Sequence, residues 1–432
     1  SAMKISKYIL ILLCLHSLVQ GQQQKNVITV KSRYGFDVQR RPVVNFNIIP
    51  VFSGTRWLPE LYLSAEIQND RLQFVKKDDA YETDYQISVI IRREKETLFK
   101  QNWEETEELK DFEQTNSKEI YQYKVYRLDL SMQDRQNLRQ PGEYECIFQV
   151  LDLTSEKSYK STRKFKLDEE HPDEFRTGPV NFLKSSNDGN YKLPFIPSDG
   201  ALLYGRPYTA YVNVLTDTID TIRINARLYK IENEDGNLFY QRYFNISRDS
   251  AVMNIKFTLP YDSMSPGQYR LSFNAYSGDK VLSAEKEFEV YWYDRPVYLY
   301  KADLAVRPMR YLISEAEYKK VDDMSYNEKE AWLKAYWASH DPTENTDYNE
   351  LEAEFFNRVQ TANEKYALRY KEGWETARGK ILLLYGEPDK IENRMSAANQ
   401  KPHVVWIYNK NNLTFLFVDS NRDGEFELVT QE

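Results

Sequence analysis

The sequence predicts a multidomain, mainly β chain: two immunoglobulin-like or fibronectin-like β-sandwiches followed by a C-terminal α+β domain. Three observations point there. Short β-rich runs, several with period-two alternation, dominate from about residue 27 to 293. A Pro-Gly-x-Tyr turn occurs twice in matching contexts, at Pro141-Gly142-Glu143-Tyr144 and Pro266-Gly267-Gln268-Tyr269. Beyond Asp294-Arg295-Pro296 the sheet pattern stops and helical spacing with capping signals takes over.

Residues 1–21 read as a signal peptide. Lys4 and Lys7 form a basic start, residues 9–15 an apolar run, and Val19-Gln20-Gly21 a cleavage site. That run falls well short of the roughly 20 residues that span a bilayer, and no later stretch supplies a span, so export is expected, to the periplasm or cell envelope. Bulky Leu13 before Cys14 favours an ordinary signal-peptide cysteine over a lipidated one; a lipid or a partner remains the route to outer-membrane association. Cleavage after Gly21 leaves Cys146 as the sole cysteine, which excludes an intrachain disulfide. Set between Glu145 and Ile147-Phe148, it reads as an ordinary strand residue.

About 410 residues then remain, enough for two to four domains. The net charge of −8 is spread over mixed basic and acidic residues, so no concentrated basic face points to nucleic acid. Tyrosine is the outlier, with 33 residues beside 21 phenylalanines and 7 tryptophans, a bias that suits sheet faces and contact surfaces for protein or glycan.

The first sandwich is expected over 27–168, with strands near 43–49, 61–67, 85–91 and 121–130. Its charged run 104–113 reads as a short helix, a solvated loop or an edge strand. Residues 169–190, polar and carrying Pro172 and Pro179, read as a linker. The second sandwich follows over 191–294, with strands near 209–215, 221–229, 238–244, 253–259, 269–275 and 284–291. In each Pro-Gly-x-Tyr copy, proline presets one backbone angle, glycine accepts the turn, and the tyrosine reaches back to the loop from the start of a strand. The copies sit in matching contexts, an internal repeat at domain scale that fits the penultimate hairpin of such a sandwich.

The C-terminal domain is expected over 295–432. Ser314 with Glu317 and Ser325 with Glu328 have capping-box spacing, and each opens a helix. The second helix stops before Asp341-Pro342, and a longer one runs over about 348–370. Residues 380–385, 404–408, 413–418 and 426–429 read as strands of a small antiparallel sheet.

Several motifs of this region occur in order: Trp337-Ala338-Ser339-His340-Asp341-Pro342-Thr343, Glu354-Phe355-Phe356-Asn357-Arg358-Val359, Gly373-Trp374 with Thr376, Arg378-Gly379, and Tyr385-Gly386-Glu387-Pro388-Asp389. Over about 315–429 they resemble the GWxTD family of exported bacterial proteins, found particularly among Bacteroidetes-like organisms. The aspartate that ends the family motif is Ala377 here. Alanine cannot bind a metal, take a proton or pair with an arginine, so a mechanism needing a carboxylate at that point is closed to this chain.

The candidate interaction or structural site comprises Trp374, Thr376, Arg378, Tyr385, Glu387, Asp389, His340 and Asp341. Glu387 and Asp389 flank a rigid proline, where they can act as an acid–base pair, hold a hard cation or shape a turn. Gly373 is expected to end the long helix in a left-handed conformation, Trp374 to plug the helix–sheet junction, Thr376 to cap backbone, and Arg378 to pair with Asp341 or Glu387. No catalytic residue, cofactor or metal is expected, since His16, His171, His340 and His403 lack ligand spacing. The favoured function is a non-enzymatic structural or interaction component of a periplasmic or outer-membrane-associated envelope assembly, with a protein partner. The alternatives are a glycan- or peptidoglycan-binding module and a carboxylate-dependent hydrolase.

Overall fold

The computed structural model describes residues 27–431 apart from 54–57, 119, 131, 168–175, 185–195, 199, 217–220, 233–235, 250, 344–345, 347 and 395–400. The expected signal peptide with Cys14 and His16, and His171 of the expected linker, lie outside the described residues. The chain divides into two compact units, Ser1–Ile28 with Arg40–Trp292, and Thr29–Gln39 with Tyr293–Glu432. A short hairpin of β1 (Ile28–Lys31) and β2 (Asp37–Arg40) opens the described chain.

The first unit is β throughout except for short helical turns. Its first sandwich contains β3 (Val44–Ser53), β4 (Leu58–Gln68), β5 (Val75–Lys77), β6 (Ala80–Arg93), β7 (Glu96–Leu109), a one-turn helix α1 (Phe112–Thr115), β8 (Tyr121–Asp129), β9 (Gly142–Asp152) and β10 (Ser158–Leu167). One sheet runs β3-β4-β8; the other runs β10-β9-β6, with β7 and β5 also on β6. Alternation places Tyr85, Ile87, Val89 and Ile91 of β6 wholly inside. The charged run 104–113 resolves into the end of edge strand β7 and the start of α1. Cys146 lies buried in β9, where burial pushes its thiol pKa up.

The second sandwich repeats this plan through β11 (Arg176–Thr177), β12 (Asn181–Lys184), β13 (Ile196–Ser198), β14 (Ala201–Leu203), β15 (Tyr208–Leu215), β16 (Thr221–Lys230), β17 (Asn237–Ser247), β18 (Val252–Thr258), β19 (Gly267–Ser277) and β20 (Lys280–Tyr291). Its sheets run β12-β15-β18, extended by β11 and β13, and β14-β20-β19-β16-β17. The repeat is therefore strand for strand: β12, β15 and β18 match β3, β4 and β8, while β16, β17, β19 and β20 match β6, β7, β9 and β10. Each Pro-Gly-x-Tyr copy forms the expected corner. Gly142 and Gly267 sit at φ +138° and +146°, which side-chain-bearing residues rarely adopt. The buried Tyr269 hydroxyl donates to Ser265 O at 2.9 Å, and Tyr144 donates in the same way to Gln140 O.

Within the expected linker, residues 176–177 and 181–184 are strands instead. Val180 and Phe182 enter the second core, and Leu183 joins Ile49, Val51, Tyr62 and Tyr211 between the two sandwiches of this unit. The apolar content is low, but Phe182 and Leu183 are buried on opposite faces and the strand pairs with β13 and β15 on its two sides. Close by, Arg41 pairs with Glu66, and Arg41 and Lys184 both donate to Tyr123 Oη, at 3.1 and 2.8 Å.

The second unit is mixed α/β: α2 (Ala302–Met309), α3 (Glu315–Asp322), α4 (Tyr326–Ser339), α5 (Glu350–Tyr366) and α6 (Ala377–Tyr385), then an antiparallel sheet β21 (Lys390–Arg394), β22 (His403–Tyr408), β23 (Leu413–Val418) and β24 (Glu427–Gln431) in sequence order. Both capping signals act as expected: Ser314 Oγ accepts from Glu317 N at 3.2 Å, and Ser325 N donates to the Glu328 carboxylate at 2.8 Å. Residues 380–385, expected as a strand, belong to α6. A short apolar run has no decisive period, and a cap at Thr376 sets it as helix. No helix among the described residues is long and apolar enough to cross a membrane.

Candidate functional site

The signature segment packs α5, a 3-10 turn at Gly373–Glu375 and α6 in close succession. A Cβ on Gly373 would overlap the carbonyl oxygen of Ala362 in α5 and lie 2.7 Å from Asn363 Cα. A Cβ on Gly379 would overlap the Gly373 carbonyl oxygen and lie 2.7 Å from Trp374 Cα. Ala362, Gly373 and Gly379 thus stack as three small residues at backbone contact. Gly373 does not end α5 in a left-handed conformation, as expected from the sequence; α5 ends earlier, at Tyr366, with Ala367 extended. Glycine is needed at 373 for approach, not for φ.

Thr376 ties the layers together. Its hydroxyl donates to Gly373 O at 2.7 Å and accepts from Gly379 N at 3.1 Å, capping α6. Trp374 is wholly buried, and its Nε1 donates to Tyr298 Oη at 2.6 Å. Tyr298 donates in turn to Glu372 Oε2 at 3.0 Å, and Tyr34 of the hairpin donates to Glu372 Oε1 at 2.8 Å, with Arg33 paired to the same carboxylate. Burial pushes the Tyr298 hydroxyl up to about 12, so it stays protonated and able to donate. Arg307 and Arg310 lie over the indole at 5.5 and 5.7 Å. Ala377, where the family motif has aspartate, is the first residue of α6 and packs its methyl group against the core.

The other candidates have separate surroundings. Arg378 does not pair with Asp341 or Glu387; it lies over the rings of Tyr366 and Phe426, at 4.7 and 4.2 Å, and burial lowers its pKa. Tyr385 packs on Tyr408 and Phe415. Glu387 pairs with Lys365 at 2.9 Å, whereas Asp389 accepts from Asn409 N at 2.7 Å. Asp341 accepts from Thr343 N at 2.9 Å. His340 ends α4, with Nδ1 2.7 Å from Tyr336 O, a contact that requires the proton on Nδ1. Among the described residues no group of three or more His, Cys, Asp or Glu is placed to hold a metal ion.

His340 also closes a groove of about 570 Å³ on α4, lined by Leu312, Ile313, Glu317, Trp332 and Tyr336. Trp332, Tyr336 and His340 stack in series at 5.2 and 4.4 Å, with Tyr336 as the central ring. The structure therefore brings Trp374 and Thr376 together and distributes the remaining candidates over the unit. Tyr298, Glu372, Arg307 and Tyr34 escaped the sequence reading. Glu372 adjoins the signature, but nothing in local pattern signals a partner as distant in sequence as Tyr34.

Residues 275–432 match the family model of the GWxTD domain. No curated protein matches the chain. Among solved structures, the C-terminal domain of wzt is 12% identical, covering 28% of this chain and 77% of its own, with a TM-score of 0.18. Red sea bream transglutaminase is 10% identical, covering 61% of this chain and 41% of its own, with a TM-score of 0.20. The ordered motifs, their packing around Trp374 and the family match agree: the C-terminal region of this chain, residues 275–432, is a GWxTD domain.

Proposed function

We propose that the chain is a non-enzymatic interaction component of an exported bacterial envelope assembly, periplasmic or associated with the outer membrane through a partner or lipid. The observation that carries this reading is edge strand β17. Among the described residues it pairs only with β16, and it exposes Leu238, Tyr240 and Tyr243 over eleven residues whose one charged side chain is Arg242. Natural edge strands are commonly guarded by charge. Strand β7, its counterpart in the first sandwich, carries Glu104, Glu105, Glu107 and Glu108. An unguarded edge suits main-chain pairing with an extended segment of a partner. The signature side chains support the same reading, because Trp374 and Thr376 are engaged in holding the domain together.

Affinity purification of the native protein from membranes, with cross-links mapped by mass spectrometry, tests this. A stoichiometric partner cross-linked around residues 237–247 is expected. A cross-link map centred on 373–389 would move the function to the C-terminal domain, and a monomer with no partner would end the proposal.

A further inference from the structure

The outer face of the sheet that ends in β17 has a composition that solvation alone does not require. Register places four rows across β17, β16, β19 and β20: Asn245-Arg223-Tyr276-Val281, Tyr243-Asn225-Asn274-Ser283, Gln241-Arg227-Ser272-Glu285 and Leu238-Tyr229-Arg270-Glu287. The intervening residues Ile222, Ile224, Ala226 and Leu228 fill the sandwich core, so these rows face outward. Although they stand on that outer face, Asn225, Asn274 and Ser272 are only 5%, 6% and 3% exposed. They form a recessed polar floor. Long planar side chains rise beside it, with Arg223 over the Tyr276 ring at 5.1 Å and Arg270 over the Tyr229 ring at 5.2 Å.

The hydrogen-bond inventory of this floor is one-sided. Asn274 Oδ1 accepts from Ser283 Oγ at 2.6 Å, and Asn225 Oδ1 accepts from Gln241 Nε2 at 3.0 Å. Tyr243 Oη also accepts from Gln241 Nε2, at 2.7 Å. These three central acceptors each take a donor from within the face, while the Asn225 and Asn274 amide hydrogens and the Tyr243 hydroxyl hydrogen remain available to a ligand. Arg223 and Arg227 have no carboxylate opposite them in the register, and Arg227 Nε is buried with no hydrogen-bond partner. The acidic residues of the face, Glu285, Glu287 and Glu289, are confined to β20. A field of donors with two unopposed guanidinium groups calls for a ligand rich in acceptors and negatively charged.

We propose that this face, across β17, β16 and β19, binds a carboxylate-bearing polysaccharide. Sugar hydroxyl and ring oxygens would accept from the two asparagine amides, the tyrosine rings would flank the sugar, and Arg223 and Arg227 would each take a carboxylate through a planar fork. These two arginines lie four residues apart on one strand face, about 13 Å, so they would engage carboxylates on different sugars. Attraction cannot come from the net charge of the protein, which is −8. The face shares Tyr243 with the edge suggested for a protein partner, but it is tested through Arg223 and Arg227 of β16, which main-chain pairing on β17 does not use.

The test is affinity electrophoresis and calorimetry of the full chain with polygalacturonate, alginate and hyaluronate as carboxylate probes and dextran as the neutral one. Binding to at least one carboxylate probe, weakening as salt rises, is expected, together with a loss of about tenfold or more in Arg223→Ala/Arg227→Ala. Arg223→Lys/Arg227→Lys keeps the charge and should retain part of the affinity, and an unchanged melting temperature for this second variant separates lost contacts from lost fold. No binding to any carboxylate probe, equal binding to dextran, or undiminished binding by the alanine variant would overturn the proposal. None of these outcomes bears on capture of a protein partner through β17.

Discussion

Gly379 is held by contact. Its hydrogen points at the Gly373 carbonyl, so Gly379→Ala must push α6 off the signature turn, at a cost of about 1–3 kcal/mol or more, read as a drop in the unfolding midpoint of the C-terminal unit. Ala377 offers the opposite sign. It occupies the first turn of α6, where a carboxylate meets the positive end of the helix, so Ala377→Asp should stabilise by about 0.3–1 kcal/mol in thermal unfolding. A decrease would mean that the methyl contact with the core outweighs the dipole. At this scale the sequence was partly legible. Thr376 as a cap follows from residue chemistry and position, whereas Trp374, expected at a helix–sheet junction, is buried at a helix–helix joint against Tyr298 and Tyr311, because residues 380–385 are helix. The acceptor of the indole, Tyr298, and its carboxylate, Glu372, are set by tertiary packing, and Arg378 found aromatic rings where an acidic partner was expected.

At the scale of elements, strands with clean alternation and helices with capping residues were readable because their signals are local. Two stretches were not. Residues 380–385 carry an apolar run compatible with either state, and the cap at Thr376 with the close approach at Gly379 decides for helix. Residues 181–184 form a short strand in a polar, proline-bearing context, made stable by neighbours on both sides. Helix α5 carries a pH-dependent element of its own. Glu352, in its first turn, takes no side-chain hydrogen bond among the described residues, and burial raises its carboxyl to about 7, opposed by Arg295. Between the ordinary carboxylate range and about pH 7 the folded chain holds a proton that the unfolded chain has released, so stability falls as pH rises through that window and levels off above it. Glu352→Gln should therefore gain in melting temperature relative to the parent at pH 8 and not at pH 5. An equal difference at both values would show that Glu352 titrates normally.

For the whole molecule, the repeated Pro-Gly-x-Tyr corner disclosed the sandwich plan, and the structure extends the repeat to seven corresponding strands. What sequence could not disclose is that residues 29–39 belong to the C-terminal unit, where Phe36 stacks on Tyr300 at 5.1 Å and Tyr34 joins the carboxylate beneath Trp374. Such membership arises from contacts between residues hundreds of positions apart and leaves no periodic trace. The two copies also differ where function is proposed: acidic residues guard the edge of the first sandwich, and tyrosines occupy that of the second. The most direct measurement is co-purification from native envelopes of the parent chain against Leu238→Lys/Tyr243→Lys, which guards β17 with charge at two exposed positions. Loss of the stoichiometric partner with an unchanged melting temperature is the predicted result; retention of that partner by the guarded variant would contradict the account.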